Sequence, residues 1–278
     1  MIFRKVAETV TGRATVDGAG VHLTRVLSRR TAEKFDPFLM LDAFDSTNPD
    51  DYTKGFPLHP HRGIETVTYL IEGEIEHMDS IGNKGVITSG SCQWMTAGRG
   101  ILHQEMPKAS PRMLGLQLWV NLSKKNKMTE PAYRDITPEL VTKVSEDSAD
   151  VAIVAGEYNG HHGGIKGEHL AVTFLDITLK PGKTWVLDTN AEDNVVVYTI
   201  LGKCSFGGSD EYAAKQAILF TEGNKLKVST DDGARFVVFY GKPLKEPITW
   251  GGPIVMNTEE ELQQAFDELE KGTFIKAG

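Results

Sequence analysis

The stretch GFPLHPHRGIETVTYLIEG, residues 55–73, decides how the rest of the chain is read. His59 and His61 stand one residue apart, and Glu65 follows. In an extended strand, side chains i and i+2 point to one face with their α-carbons about 6.5–7 Å apart. Both imidazoles can then reach one ion lying about 2 Å from each ring nitrogen. Pro60 between them has no N–H, which puts the pair at a strand edge or entry. On a β protein such a pair is more often ordinary surface or core, so it needs support from elsewhere.

That support lies about forty residues on, in GSCQWMTAGRGILHQEM, residues 90–106. His103 and Glu105 again stand at i and i+2, after a turn carrying Gly98 and Gly100. Two such pairs on separate strands can face each other inside one small barrel. Three imidazoles and one carboxylate suit Fe, Mn, Co, Ni or Zn, and the absence of a thiolate argues against a closed structural zinc site.

Outward from these pairs the chain reads as all-β. Runs such as GVITSG, GLQLWVNL, VAIVAG, LAVTFLDITLK, NVVVYTILGKCSF and ARFVVFY are rich in Val, Ile, Thr and aromatics. Glycine and Asp/Asn turns separate them, the pattern of a sandwich or barrel. The polar, proline-interrupted segment 123–150 divides the chain, and a loosely similar set of strands follows it. The expected organisation is an N-terminal metal-binding barrel at 1–122, a connecting segment at 123–150, and a second barrel at 151–278. That second barrel ends in a short helix, TEEELQQAFDELEKG. Thr258 and Glu261 form a capping box there, Leu262, Phe266 and Leu269 an apolar stripe, and Gly272 the stop.

Composition narrows the function classes. The 278 residues carry 30 Lys+Arg against 38 Asp+Glu, a formal charge of −8, which makes direct nucleic-acid binding an unsuitable main role. Two cysteines without a CxxC suit a reducing compartment. The N-terminal MIFRKVAETVTGR has no apolar run of signal-peptide length and nothing later reaches a membrane span, so a cytoplasmic protein is expected, or a nuclear one in a eukaryote.

The spacing Gly55…His59-x-His61-x3-Glu65…Gly73 resembles the first cupin motif. Gly90…Gly98-x-Gly100-x2-His103 resembles the second, with Thr96 where many cupins carry proline. More specifically, GFPLHPHRGIETVTYLIEG, WMTAGRGILHQEMP and GLQLWVNL resemble the pirin family, a group of bicupins; DPFLMLDAF and PIVMNTEEEL extend the likeness over nearly the whole chain. The resemblance implies two tandem cupin (jelly-roll β-barrel) domains and one metal site, in the first of them. By position its ligands are His59, His61, His103 and Glu105. Many cupins ligate instead through the acid of the first motif, here Glu65, which is then the competing carboxylate. Ala43 departs from the acid that pirins often place before the phenylalanine of the LD-x-F stretch.

The metal implied is one divalent ion, Fe(II) first, with Mn, Co, Ni, Cu or Zn also accepted by this donor set. Some pirins open the flavonol ring with O2, so the resemblance implies a quercetin 2,3-dioxygenase-like oxidoreductase with Glu105 as ligand and general base. Its partners would be a flavonol or other enol or phenol, and O2. Other pirins act as regulators, so the alternative is a non-enzymatic, redox-sensitive iron protein binding transcription-related protein partners. Phe56, Leu58, Trp94, Met95, Ile101, Leu102 and Met106 are candidates for a pocket wall, and a monomer is the expected state. The second half does not copy the site: KPGKTWVLDTNAEDNVVVYTILGKCSFGG, residues 180–208, has no histidine. His161, His162 and His169 fall around a glycine-rich loop that makes a poor preorganised site, and His22 and His77 are lone histidines.

Overall fold

The computed structural model describes residues 1–165, 167–208 and 210–276, so Lys166 in the HHGGIKGEH loop and the last two positions of the expected second domain lie outside the described residues. The chain is all-β with a single α-helix near its C-terminus among the described residues, and it divides into two compact units. No helix among those residues is long and apolar enough to cross a membrane.

The unit that carries His59, His61 and His103, the histidine-bearing unit below, comprises Arg13–Pro138 together with Leu244–Gly278. It is built on two sheets. The seven-stranded sheet runs Ala132–Ile136, Cys92–Thr96, Ile64–Glu72, Met113–Asn121, Phe38–Ser46, Val21–Leu27, Arg13–Asp17. The four-stranded sheet runs Phe56–His61, Ile101–Pro107, Glu74–Asp79, Lys84–Thr88. Side chains of both sheets meet in one apolar cluster, with Val21, Phe44, Leu70 and Met113 from the larger and Ile75 and Ile87 from the smaller. This is the jelly-roll solution, in which each sheet buries one face against the other.

The other unit comprises Met1–Gly12 and Glu139–Pro243. Ten of its strands form one connected sheet, and its core cluster is apolar, with Trp185, Leu187, Leu226, Val228, Phe236 and Val238 almost wholly buried. The Trp185 indole donates to Tyr158 Oη at 2.9 Å, which in turn donates to Glu146 at 2.7 Å, so the buried polar atoms of the two rings are satisfied.

The unit boundaries differ from the sequence expectation at three places. Residues 1–12 belong with the second unit, because Val6–Thr11 pairs antiparallel with Gln216–Phe220. The segment 123–150 is divided between the units: Ala132–Ile136 is an edge strand beside Cys92–Thr96, and Thr142–Ser145 pairs with Ala149–Ala155. The C-terminal segment, expected to close the second barrel, belongs with the histidine-bearing unit. The helix Glu259–Glu270 has the expected capping box, with Thr258 Oγ1 accepting from Glu261 N. Its stripe of Leu262, Ala265, Phe266 and Leu269 packs with Ile254, Met256 and Phe274 of the same segment. Val255 N then donates to the Arg62 carbonyl at 3.1 Å, and the buried Lys127 ammonium joins Gly63 O, Asn121 Oδ1 and Val255 O at 2.7–2.9 Å.

Gly63 lies at φ +78°, and a Cβ there would sit 2.0 Å from Val255 O, inside the backbone of the C-terminal segment. Gly63→Ala is therefore expected to destabilise the chain by about 2 kcal/mol or more, combining left-handed backbone strain with the forced displacement. Urea unfolding against wild type measures it, and a change below about 0.5 kcal/mol would show that the segment yields freely.

Candidate metal centre

His59 and His61 share one face of the strand Phe56–His61, and His103 lies on its antiparallel neighbour, Ile101–Pro107. The register sets His103 opposite His59 and Ile101 opposite His61. Along the second strand burial alternates, with Ile101, His103, Glu105 and Pro107 inward. The turn before it needs its glycines: Gly98 has φ +49°, and a Cβ there would meet Thr129 O at 2.2 Å.

The three imidazoles converge, with one nitrogen of each within 4.8 Å of the others. The His103 ring centroid is 4.4 Å from that of His59 and 5.0 Å from that of His61. His59 Nδ1 lies 2.8 Å from Pro57 O, and His61 Nδ1 lies 3.1 Å from Pro253 O. A carbonyl can only accept, so each Nδ1 carries the ring hydrogen and each Nε2 presents a lone pair. Those two Nε2 atoms are 3.1 Å apart. Doubly protonating a ring would relieve the repulsion, but burial, reinforced by the neighbouring His59, holds the His61 pKa down at about 3. His103 is fully buried, neither of its ring nitrogens has a hydrogen-bond partner, and burial holds its pKa well below normal. Two ligand nitrogens about 2.0–2.1 Å from an ion and at right angles are themselves about 3 Å apart. The three histidines therefore fit a metal ion, and they are the one such group of three among the described residues.

Glu105 does not join that cluster. Its side chain turns inward on the same strand face, but Thr68 Oγ1 donates to Oε1 at 2.8 Å and Gln117 Nε2 to Oε2 at 2.6 Å. Glu65 is engaged elsewhere, accepting from Trp94 Nε1 at 3.1 Å and Thr96 Oγ1 at 2.8 Å. Thr96 thus has a positive role, anchoring the acid of the first motif.

Among the remaining histidines, His22 is exposed, 3.5 Å from Asp51. His161 and His162 are exposed in a two-residue strand. His77, which the sequence offers as a surface or a satisfied core histidine, is wholly buried, stacked on Tyr133 at 4.4 Å and 6.3 Å from the His103 ring, but neither of its nitrogens has a hydrogen-bond partner. Its cross-strand partner is Glu105, and that register was not readable from a single chain.

His59 and His61 open onto a cavity of about 660 Å³. Of the expected wall residues only Phe56 lines it. Trp94, Met95 and Ile101 are packed in the core, and Leu58 points to solvent. Met40, Trp119 and Trp250 supply the rest of the apolar wall, the two indoles 5.7 Å apart and tilted by 34°. On the polar side, Arg25 donates to both Asp42 oxygens at 2.9 and 2.8 Å and to Asp17 at 2.6 Å. Burial raises the Asp42 pKa, and the Arg25 guanidinium opposes that rise. Sequence reading missed Trp250 and Pro253 because they come from the far end of the chain.

Comparison with known proteins fits this architecture. The model of the pirin family matches residues 20–120, and that of the pirin C-terminal cupin domain matches residues 174–275. A Pseudomonas aeruginosa protein provisionally named a quercetin 2,3-dioxygenase is 42% identical, covering 97% of this chain and 98% of its own. Human pirin is 40% identical over 94% of this chain and 91% of its own. The crystal structure of a quercetin 2,3-dioxygenase from Acinetobacter baumannii superposes with a TM-score of 0.90 at 30% identity, covering 98% of both chains.

The depressed histidine pKa values set the sign of the pH dependence. Between pH 6.5 and 5 the unfolded chain takes up a proton that folded His61 refuses, so the metal-free protein should lose about 2 kcal/mol of stability per such histidine. Urea titrations at pH 7 and pH 5 measure this. His61→Ala should flatten the dependence by about that amount, and an unchanged slope would place the acid sensitivity elsewhere.

Proposed function

Because this chain belongs to the pirin family, we propose that it is a metal-dependent oxidoreductase that opens flavonol-type rings with O2, a quercetin 2,3-dioxygenase-like activity using iron. The observation that carries this reading is the pair of Nε2 lone pairs 3.1 Å apart at the wall of a roomy, aromatic-lined cavity. His59, His61 and His103 would hold the ion, and Glu105, on the same inward strand face as His103, is the carboxylate proposed to complete the set. When bound, iron supplies a Lewis-acidic, redox-active centre.

The chain's own residues account for the rest. A cavity of about 660 Å³ is of the size that encloses a drug-sized organic ligand. Trp119, Trp250, Met40 and Phe56 give it apolar and aromatic surfaces against which a planar ring system packs and from which it displaces water. Half-buried His59 and buried His61 line the cavity, and a substrate hydroxyl would be seated beside them. Glu105 is the proposed general base for that hydroxyl. Its carboxylate stands behind Gln117, a residue of the cavity wall, and a shift of that amide gives the substrate proton access to it. The Asp17–Arg25–Asp42 ion cluster gives the cavity a polar, hydrogen-bonded stretch of wall. A non-enzymatic, partner-binding role needs only an exposed surface, and the aromatic-lined cavity at His59 and His61 is what favours the catalytic reading.

Protein reconstituted anaerobically with Fe(II) and given quercetin should consume O2 in step with loss of the flavonol. His61→Ala should lose at least two orders of magnitude of that rate. No uptake from protein shown to hold iron would move the function to the regulatory reading.

A further inference from the structure

His61 owes its orientation to a residue 192 positions away. His59 gives its Nδ1–H to Pro57, on its own strand, whereas His61 gives its Nδ1–H to Pro253, in the C-terminal segment. That segment is latched to the residue next to His61. The Arg62 side chain, 1% exposed, donates to Glu268 Oε2 at 2.7 Å and to Phe274 O at 3.1 Å, and its guanidinium lies 4.2 Å over the Phe274 ring.

The two tautomers of His61 have opposite consequences. With the hydrogen on Nδ1, the Nε2 lone pair faces that of His59. With the hydrogen on Nε2, the ring would donate across the 3.1 Å gap to His59 Nε2, a self-satisfied pair with neither the lone pair nor the space for an ion. The Pro253 carbonyl rewards the first state alone, because it can only accept.

We propose that the C-terminal segment is the positioning element of the metal site: the Pro253 carbonyl holds His61 as its Nδ1–H tautomer, and the Arg62–Glu268 latch holds that carbonyl in place. The consequence for metal rests on the reading above, while the tautomer is a property of the metal-free chain. Pro253 and Glu268 act through His61 and touch no substrate.

The test is the imidazole ¹⁵N spectrum of metal-free, histidine-labelled protein, alongside Co(II) affinity measured by competition with a chromophoric chelator. In wild type both His59 and His61 should be Nδ1–H. In Glu268→Ala, and in Pro253→Gly, which loosens the carbonyl without touching the latch, His61 should become a mixture while His59 stays unchanged as the internal control. Co(II) affinity should fall 10- to 100-fold, the usual cost of losing the partner that orients a ligating histidine. An Nε2–H His61 in wild type overturns the proposal without any variant. So does a pure Nδ1–H His61 in either variant that retains the wild-type circular dichroism. Failure of wild type to bind Co(II), with the tautomer as expected, overturns the metal reading instead.

Discussion

Two imidazole lone pairs face each other at 3.1 Å where a β sandwich opens onto a cavity, and the rest of that unit is arranged to hold them there. In water such a pair would rotate apart or take up a proton. Here the Nδ1 atoms are committed to carbonyls, His61 and His103 are buried, and the low-dielectric surroundings resist a charge unless it arrives with its own ligands. A divalent ion removes the repulsion and satisfies the orphaned nitrogens together, which is why an unpaired buried His103 points to a ligand.

The fold meets this constraint with ordinary β geometry. Alternation along Phe56–His61 and Ile101–Pro107 turns three histidines to the same side, and the antiparallel register brings two of them opposite each other. Around them the other acids are occupied, Glu65 with Trp94 and Thr96 and Asp42 with Arg25, while Glu105, the proposed fourth ligand, is held on the His103 strand face by Thr68 and Gln117. Buried carboxylates with defined donors are held in place, which leaves the histidine cluster as the open set of donors beside the cavity.

The second unit shows what the architecture does without that demand. Its interior is filled by Trp185, Phe236, Leu226 and their neighbours, and the Trp185 and Tyr158 polar atoms close on one another and on Glu146. Apolar filling stabilises it by burial, and among the described residues this unit brings no group of three metal-ligating side chains together.

Strand content, the capped helix and the facing of His59, His61 and His103 were legible in the sequence, because period-two alternation, capping chemistry and glycine turns are local properties of the chain. The first-motif acid could be seen but not placed, since the donors that engage Glu65, Trp94 and Thr96, reach it only through strand pairing. Local order cannot say which distant segments share a core. The sequence suggested that the C-terminal helix closes the second barrel, whereas the structure joins it to the first through Arg62, Glu268 and Phe274. Trp250 in the cavity wall and the Pro253 carbonyl behind His61 came with it. A backbone carbonyl has no signature in the residue code, so the group that orients His61 was decided by tertiary structure alone.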